Sequence, residues 1–163
     1  MKKLILIIML FVSFILTGCV SDPPVYCFDS DVLITNTVKI ELVECVNDNP
    51  EIIKVDNDTI ISFDYNIADV LDKLDNIEFE NFIIRLSTIR FHIDNRSVNK
   101  PIGKTLILHQ KSGNMIVLSC TSIESVGYSF VSEFDSNNNY IAHIARFAER
   151  PLFELLINEY FDY

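Results

Sequence analysis

A chain of 163 residues with 23 acidic and 13 basic side chains carries a formal charge of -10 at pH 7. That sign repels phosphate backbones and anionic lipid headgroups, which excludes nucleic-acid binding and a polybasic membrane contact. Hydrophobic residues make up 49% of the chain, enough for one packed core of ordinary domain size and too many for a disordered protein.

The first element is a signal segment. Met1-Lys2-Lys3 is a short positive n-region, and residues 4–16 are apolar apart from Ser13. As a helix this run reaches about 20 Å, short of the roughly 30 Å hydrocarbon core of a bilayer. It therefore reads as a secretory signal rather than a permanent span. The run closes on Leu16-Thr17-Gly18-Cys19 and is followed by polar Ser21-Asp22-Pro23-Pro24.

That block resembles the lipobox of bacterial lipoprotein signal peptides, over about the first twenty residues. The resemblance implies cleavage before Cys19 and a diacylglycerol on its thiol, with Leu16, Thr17 and Gly18 as the recognition residues. Two acyl chains, at roughly 0.8 kcal/mol per buried CH₂, then anchor the mature protein on the extracytoplasmic face of the cell membrane. The expected organisation is a cleaved signal peptide over 1–18, a lipidated tether over 19–30 and one domain over 31–163. Losing Lys2 and Lys3 but no acid takes the charge from -10 to -12.

Beyond the Pro23-Pro24 tether, Thr37-Val38-Lys39-Ile40-Glu41-Leu42-Val43 alternates polar and apolar residues, the pattern of a half-buried strand, and Asn47-Asp48-Asn49-Pro50 ends it. Short strands are expected over 52–55 and 59–63, around the Asp56-Asn57-Asp58 turn. Residues 67–74 fit either a helical face or a strand, and the reading leans to strand. Phe79, Phe82, Ile83 and Leu86 then fall at i, i+3, i+4 and i+7, with Asp75 or Asn76 as cap and Glu78 and Glu80 in the first turn. They predict an amphipathic helix over 77–88.

After a polar loop over 94–100, residues 105–110 and 115–120 flank Lys111-Ser112-Gly113-Asn114, a hairpin signal. A two-residue Ser112-Gly113 turn would set His109 opposite Ile116 and Cys120 opposite Thr105. A second hairpin joins 126–134 to 140–147 through Asp135-Ser136-Asn137-Asn138-Asn139. Pro151 opens a last helix near 150–161, with Leu152, Leu155, Leu156 and Tyr160 toward the sheet. The order predicts an α+β fold, a mainly antiparallel sheet with helices on one face. In this general plan the domain resembles small uncharacterised lipoproteins of low-GC Gram-positive bacteria.

Several motifs stop short of a chemistry. Asp135-Ser136-Asn137-Asn138-Asn139 opens like a calcium loop, but Tyr140 stands where the glycine is needed and Arg146 where the bidentate glutamate belongs, so it reads as a turn. Gly103-Lys104-Thr105 lacks the leading glycine of a phosphate loop, which is Val98 here, and reads as a strand start. Gly127-Tyr128-Ser129-Phe130-Val131 lacks the closing glycine of a nucleophile elbow. Besides Cys19, Cys27, Cys45 and Cys120 are too widely spaced for a zinc knuckle or redox pair, and Cys45 and Cys120 read as buried free thiols.

His143 is expected beside Ser132 and bonded to a hydroxyl, and His92 beside Asp94 near a strand end. Asp69, Asp72 and Asp75 would share a side only if their segment were helical. No catalytic, cofactor-binding or metal-ligating residue is assigned. The expected function is a membrane-anchored, non-catalytic extracytoplasmic binding module, with a cationic protein or peptide as the partner its charge admits. The alternatives are an envelope hydrolase or metal-dependent enzyme using His92, His143 or the acids from Asp64 to Asp75, and an immunity-like inhibitor of a basic toxin.

Overall fold

The computed structural model describes residues 24–45, 52–53, 63–72, 77–93, 98–99, 101, 103–123, 126–147 and 150–161. Leu16, Thr17, Gly18, Cys19, the signal segment 1–18 and the cap candidates Asp75 and Asn76 lie outside them, as does most of the strand expected over 59–63.

The chain enters the sheet earlier than the tether reading implies. Strand β1 (Val25–Tyr26) pairs antiparallel with a later strand, and Phe28 is buried in the main core. Any free tether therefore ends before Val25, because Tyr26 and Phe28 stack edge-on and Phe28 stacks on Phe91. Helix α1 (Ser30–Asn36) follows and corrects the expectation of a strand directly after the tether. Asp29 caps it, its Oδ1 accepting from the Val32 N–H at 3.1 Å. With β-branched Val32, Ile34 and Thr35 its helix propensity is poor, and buried Leu33 pins it to the core instead.

The alternating stretch becomes β2 (Thr37–Cys45), β3 is Ile52–Ile53, and the ambiguous segment is strand β4 (Tyr65–Asp72). Helix α2 (Ile77–Ser87) buries Phe79, Phe82, Ile83 and Leu86, the expected stripe. Its last carbonyls are satisfied locally: the Ser87 hydroxyl donates to the Ile83 carbonyl at 2.8 Å and the Thr88 hydroxyl to the Arg85 carbonyl at 2.7 Å. Then come β5 (Phe91–His92), β6 (Val98–Asn99, inside the expected loop), β7 (Gly103–Gln110), β8 (Met115–Ile123), β9 (Val126–Phe134), β10 (Tyr140–Phe147) and helix α3 (Arg150–Tyr160).

Eight strands form one sheet in the order β1-β5-β10-β9-β8-β7-β2-β4, every pairing antiparallel, and β3 with β6 makes a separate two-stranded ribbon. The three helices bury one face of the large sheet. The core on that side joins Phe79, Phe82, Ile83 and Leu86 of α2 with Leu156 and Ile157 of α3 and with Ile40, Leu42, Leu106, Leu108, Leu118 and Val131 of the strands. Each fully buried Leu, Ile or Phe there contributes about 1.5–3 kcal/mol. The α+β reading with helices near 77–88 and 150–161 is what the chain adopts.

In α3, Leu156 and Ile157 are buried and Tyr160 packs against the core, whereas Leu155 is 58% exposed, which corrects its expected inward place; the side chain of Leu152 lies outside the described residues. Phe161, just past the helix, completes the face by stacking on Phe82. The opposite face of the sheet carries a smaller core of Val43, Cys45, Phe63, Ile107, Met115, Val117 and Phe134.

The β7–β8 register is one residue away from the expected one: His109 faces Met115 and Thr105 faces Ser119. The Gln110 N–H donates to the Asn114 carbonyl at 2.8 Å and the Gly113 N–H to the Gln110 carbonyl at 2.9 Å, so three residues form the loop. Gly113 has φ +90°, the left-handed position that closes such a three-residue hairpin. The β9–β10 loop is the expected turn. Asp135 Oδ1 accepts from the Asn137 and Asn139 N–H groups at 2.8 and 2.9 Å, and Oδ2 from the Asn139 amide at 3.0 Å.

Candidate functional site

The candidate sites follow from the two faces of the sheet. On the face away from the helices, Lys39 and Glu41 alternate with the inward Ile40 and Leu42, and β2 pairs with β7 so that His109 and Ile107 stand beside them. Glu41 is 2% exposed, yet its two oxygens are both engaged: Oε1 lies 2.6 Å from Lys39 Nζ and Oε2 2.6 Å from His109 Nε2. A carboxylate only accepts, so the ring proton sits on Nε2. Burial pushes the Glu41 pKa up, but the hydrogen bonds and charges of Lys39 and His109 outweigh it and hold the carboxyl below its ordinary range.

Tyr65 on the neighbouring β4 completes the surroundings; burial raises its phenol pKa, and the Glu41 charge raises it further. This cluster is an electrostatic staple between β2 and β7. Both Glu41 oxygens are already engaged, one by the Lys39 ammonium and one by the His109 ring. Thr37, at the start of β2, accepts from the Gln110 amide at 3.1 Å.

The pairing of Glu41 with His109 was beyond sequence reasoning, because it joins residues 68 positions apart through a non-sequential strand neighbour. The visible signal was limited to two polar residues, Lys39 and Glu41, on one side of an alternating strand.

The second polar place is where β5, β10 and β9 adjoin. His143 pairs with Ser132 as expected and its ring lies 6.2 Å from that of Phe130. The expected hydroxyl bond is not there: Ser132 Oγ, in a residue 4% exposed, has no hydrogen-bond partner among the described residues, and neither has His92 Nδ1. His92 pairs with Arg146 on the same edge.

The acids lie elsewhere. Because β4 is a strand, Asp69 pairs with Leu42 and Asp72 with Lys39, and a bulge between Asp69 and Ile67 breaks the register. From β5 to β4 there are six strand spacings, roughly 29 Å. The histidines and the β4 acids therefore do not converge. Among the described residues no group of three or more His, Cys, Asp or Glu is placed to hold a metal ion.

The side chain of Cys120, expected to be buried and free, lies outside the described residues. Cys27 is exposed and free, and Cys45 is buried and free, as expected. Burial pushes the Cys45 thiol up to about 11, against a lowering by the Thr105 hydroxyl, so it is a packing residue rather than a nucleophile.

The third place is on the helix-facing side of the sheet, beside the β7–β8 hairpin. Asn36 at the end of α1, Gln110 and Ser112 of the β7–β8 hairpin, Ile116, Glu133 and Ile144 line a cleft of about 320 Å³. Glu133 shares its face with buried Val131, and its Oε1 accepts from the Asn114 amide at 2.7 Å. No protein family, curated protein or solved structure matches this chain.

Proposed function

We propose that the protein is a lipoprotein anchored through Cys19 on the extracytoplasmic face of the cell membrane, whose single acidic domain is a non-catalytic module that binds a cationic protein or peptide. The observation that carries the reading is the Leu16-Thr17-Gly18-Cys19 block at the end of an apolar run too short to span a bilayer. Among the described residues no helix is long and apolar enough to cross a membrane.

The charge of the exported part, -12 after loss of Lys2 and Lys3, supports a basic partner by steering and complementarity. The polar clusters add to it. Glu41 is committed to Lys39 and His109, and the β4 acids stand across the sheet from His92 and His143, so these groups do not assemble an acid–base constellation.

The test is crosslinking in intact cells with affinity recovery of the full chain, followed by salt titration of the recovered complex. A reproducible basic partner released as ionic strength rises is expected. Repeated recovery of no partner, or of an acidic one indifferent to salt, would overturn the binding reading.

A further inference from the structure

We propose that the cleft at the β7–β8 turn is a binding site for a single ammonium or guanidinium group, the side chain of a lysine or arginine on the partner. This rests on the reading of the domain as a module for cationic partners, and it names where that charge is received.

The case begins with volume and position. About 320 Å³ lies at the small end of ligand pockets, which run roughly 300–1,000 Å³. It admits one long side chain rather than a folded segment. The floor is apolar, with Ile116 and Ile144 packed against the main core, and suits the methylene stem of such a side chain.

The polar rim is rich in acceptors. Gln110 spends its amide N–H groups on the Thr37 hydroxyl at 3.1 Å and the Leu108 carbonyl at 3.2 Å, which leaves its carbonyl oxygen as the group it offers. Ser112 Oγ already accepts from the Asn114 N–H at 3.3 Å.

Glu133 supplies the charge. It sits half-buried on the helix-facing side of β9, and its one protein partner among the described residues is the neutral Asn114 amide on Oε1. Asn114 thereby fixes the carboxylate and leaves Oε2 for a donor. Lys111, which stands between Gln110 and Ser112 in the chain, is exposed and is not part of the lining. A ligand that donates several hydrogen bonds and carries one positive charge on an apolar stem satisfies every one of these groups.

The probe is rhodamine-labelled pentalysine, followed by anisotropy against the full chain in detergent micelles at physiological ionic strength, with penta-acetyl-lysine as the uncharged control. The expected result is binding of pentalysine alone, weakened on the order of tenfold by Glu133→Gln. The charge-matched Glu80→Gln, an exposed change on α2, should alter it by less than about twofold. As a check that needs no variant, the Ile116 and Ile144 methyl resonances of the unaltered chain should shift on adding pentalysine.

Equal small effects of the two variants, or unmoved Ile116 and Ile144 methyls, would overturn the cleft while leaving a cationic partner elsewhere on the surface. Absence of pentalysine binding, or equal binding of the acetylated control, would overturn the cleft outright. The crosslinking experiment judges the broader reading separately.

Discussion

His109 Nε2 stands 2.6 Å from Glu41 Oε2 across the β2–β7 pair, and Lys39 Nζ holds the other carboxylate oxygen at the same distance. A residue 2% exposed thus stays charged because the Lys39 ammonium and the His109 ring replace the water it lost. Removing one partner leaves that charge undercompensated, a costlier state than replacing the whole group.

His109→Ala should destabilise the fold by about 1–3 kcal/mol in urea unfolding. Glu41→Gln changes the pH dependence as well. The folded Glu41 pKa is depressed, so its contribution is present above the ordinary value of 4.5 and is lost as pH falls through the folded pKa. Below about pH 4.5 the unaltered chain should lose stability faster than the glutamine variant. Parallel curves would show that the staple contributes nothing.

Gly113 offers a test of backbone conformation alone. Its φ is +90° and nothing lies within 4 Å of where a Cβ would be placed. Gly113→Ala should therefore cost about 1 kcal/mol through the left-handed backbone rather than through a clash. The measurement is the unfolding midpoint, with unchanged methyl spectra showing that the core is intact.

Phe82 joins the two long helices. It is fully buried and meets Tyr160 and Phe161 edge-on, with ring centroids at 5.5 and 5.8 Å. Phe82→Ala should cost about 3–5 kcal/mol. The exposed Arg85–Glu159 pair, at 3.8 Å between the same helices, should contribute no more than about 1 kcal/mol. Denaturant curves of Phe82→Ala and Arg85→Ala side by side would rank the two contacts.

Thiol chemistry separates Cys27 from Cys45. At pH 8 iodoacetamide should modify exposed Cys27 readily and leave Cys45 untouched, since the latter is buried with its pKa pushed up to about 11. Peptide mapping reads each site. Equal labelling of both in the folded protein would contradict the packing around Cys45.

Elements whose instructions are local were legible in the sequence. The Phe79, Phe82, Ile83 and Leu86 stripe gave α2, and the polar block from Asp135 to Asn139 gave the β9–β10 hairpin, because spacing and turn chemistry are carried within a dozen residues. The β7–β8 register slipped by one because Ser112-Gly113 can be read as the whole turn or, as found, as part of a three-residue loop closed by Gly113. Helix α1 was missed since its β-branched residues hide it, leaving the Asp29 cap and Leu33 as its sole marks.

Leu155 was expected inward because it shares a helical stripe with Leu156, and the sheet takes up Ile157 instead. The site was the least legible part. Glu41 meets His109 through the β2–β7 pairing, which no local pattern encodes, and Glu133 and Gln110 line one cleft from strands two apart in the sheet.

The anchor at Cys19 is the claim on which compartment and exposure both depend. Cells expressing the chain or its Cys19→Ala variant are fed labelled palmitate, and membrane and medium are separated. Label on the unaltered chain in the membrane fraction, with an unlabelled and uncleaved or released variant, is the predicted result. Undiminished label on the Cys19→Ala chain would contradict it.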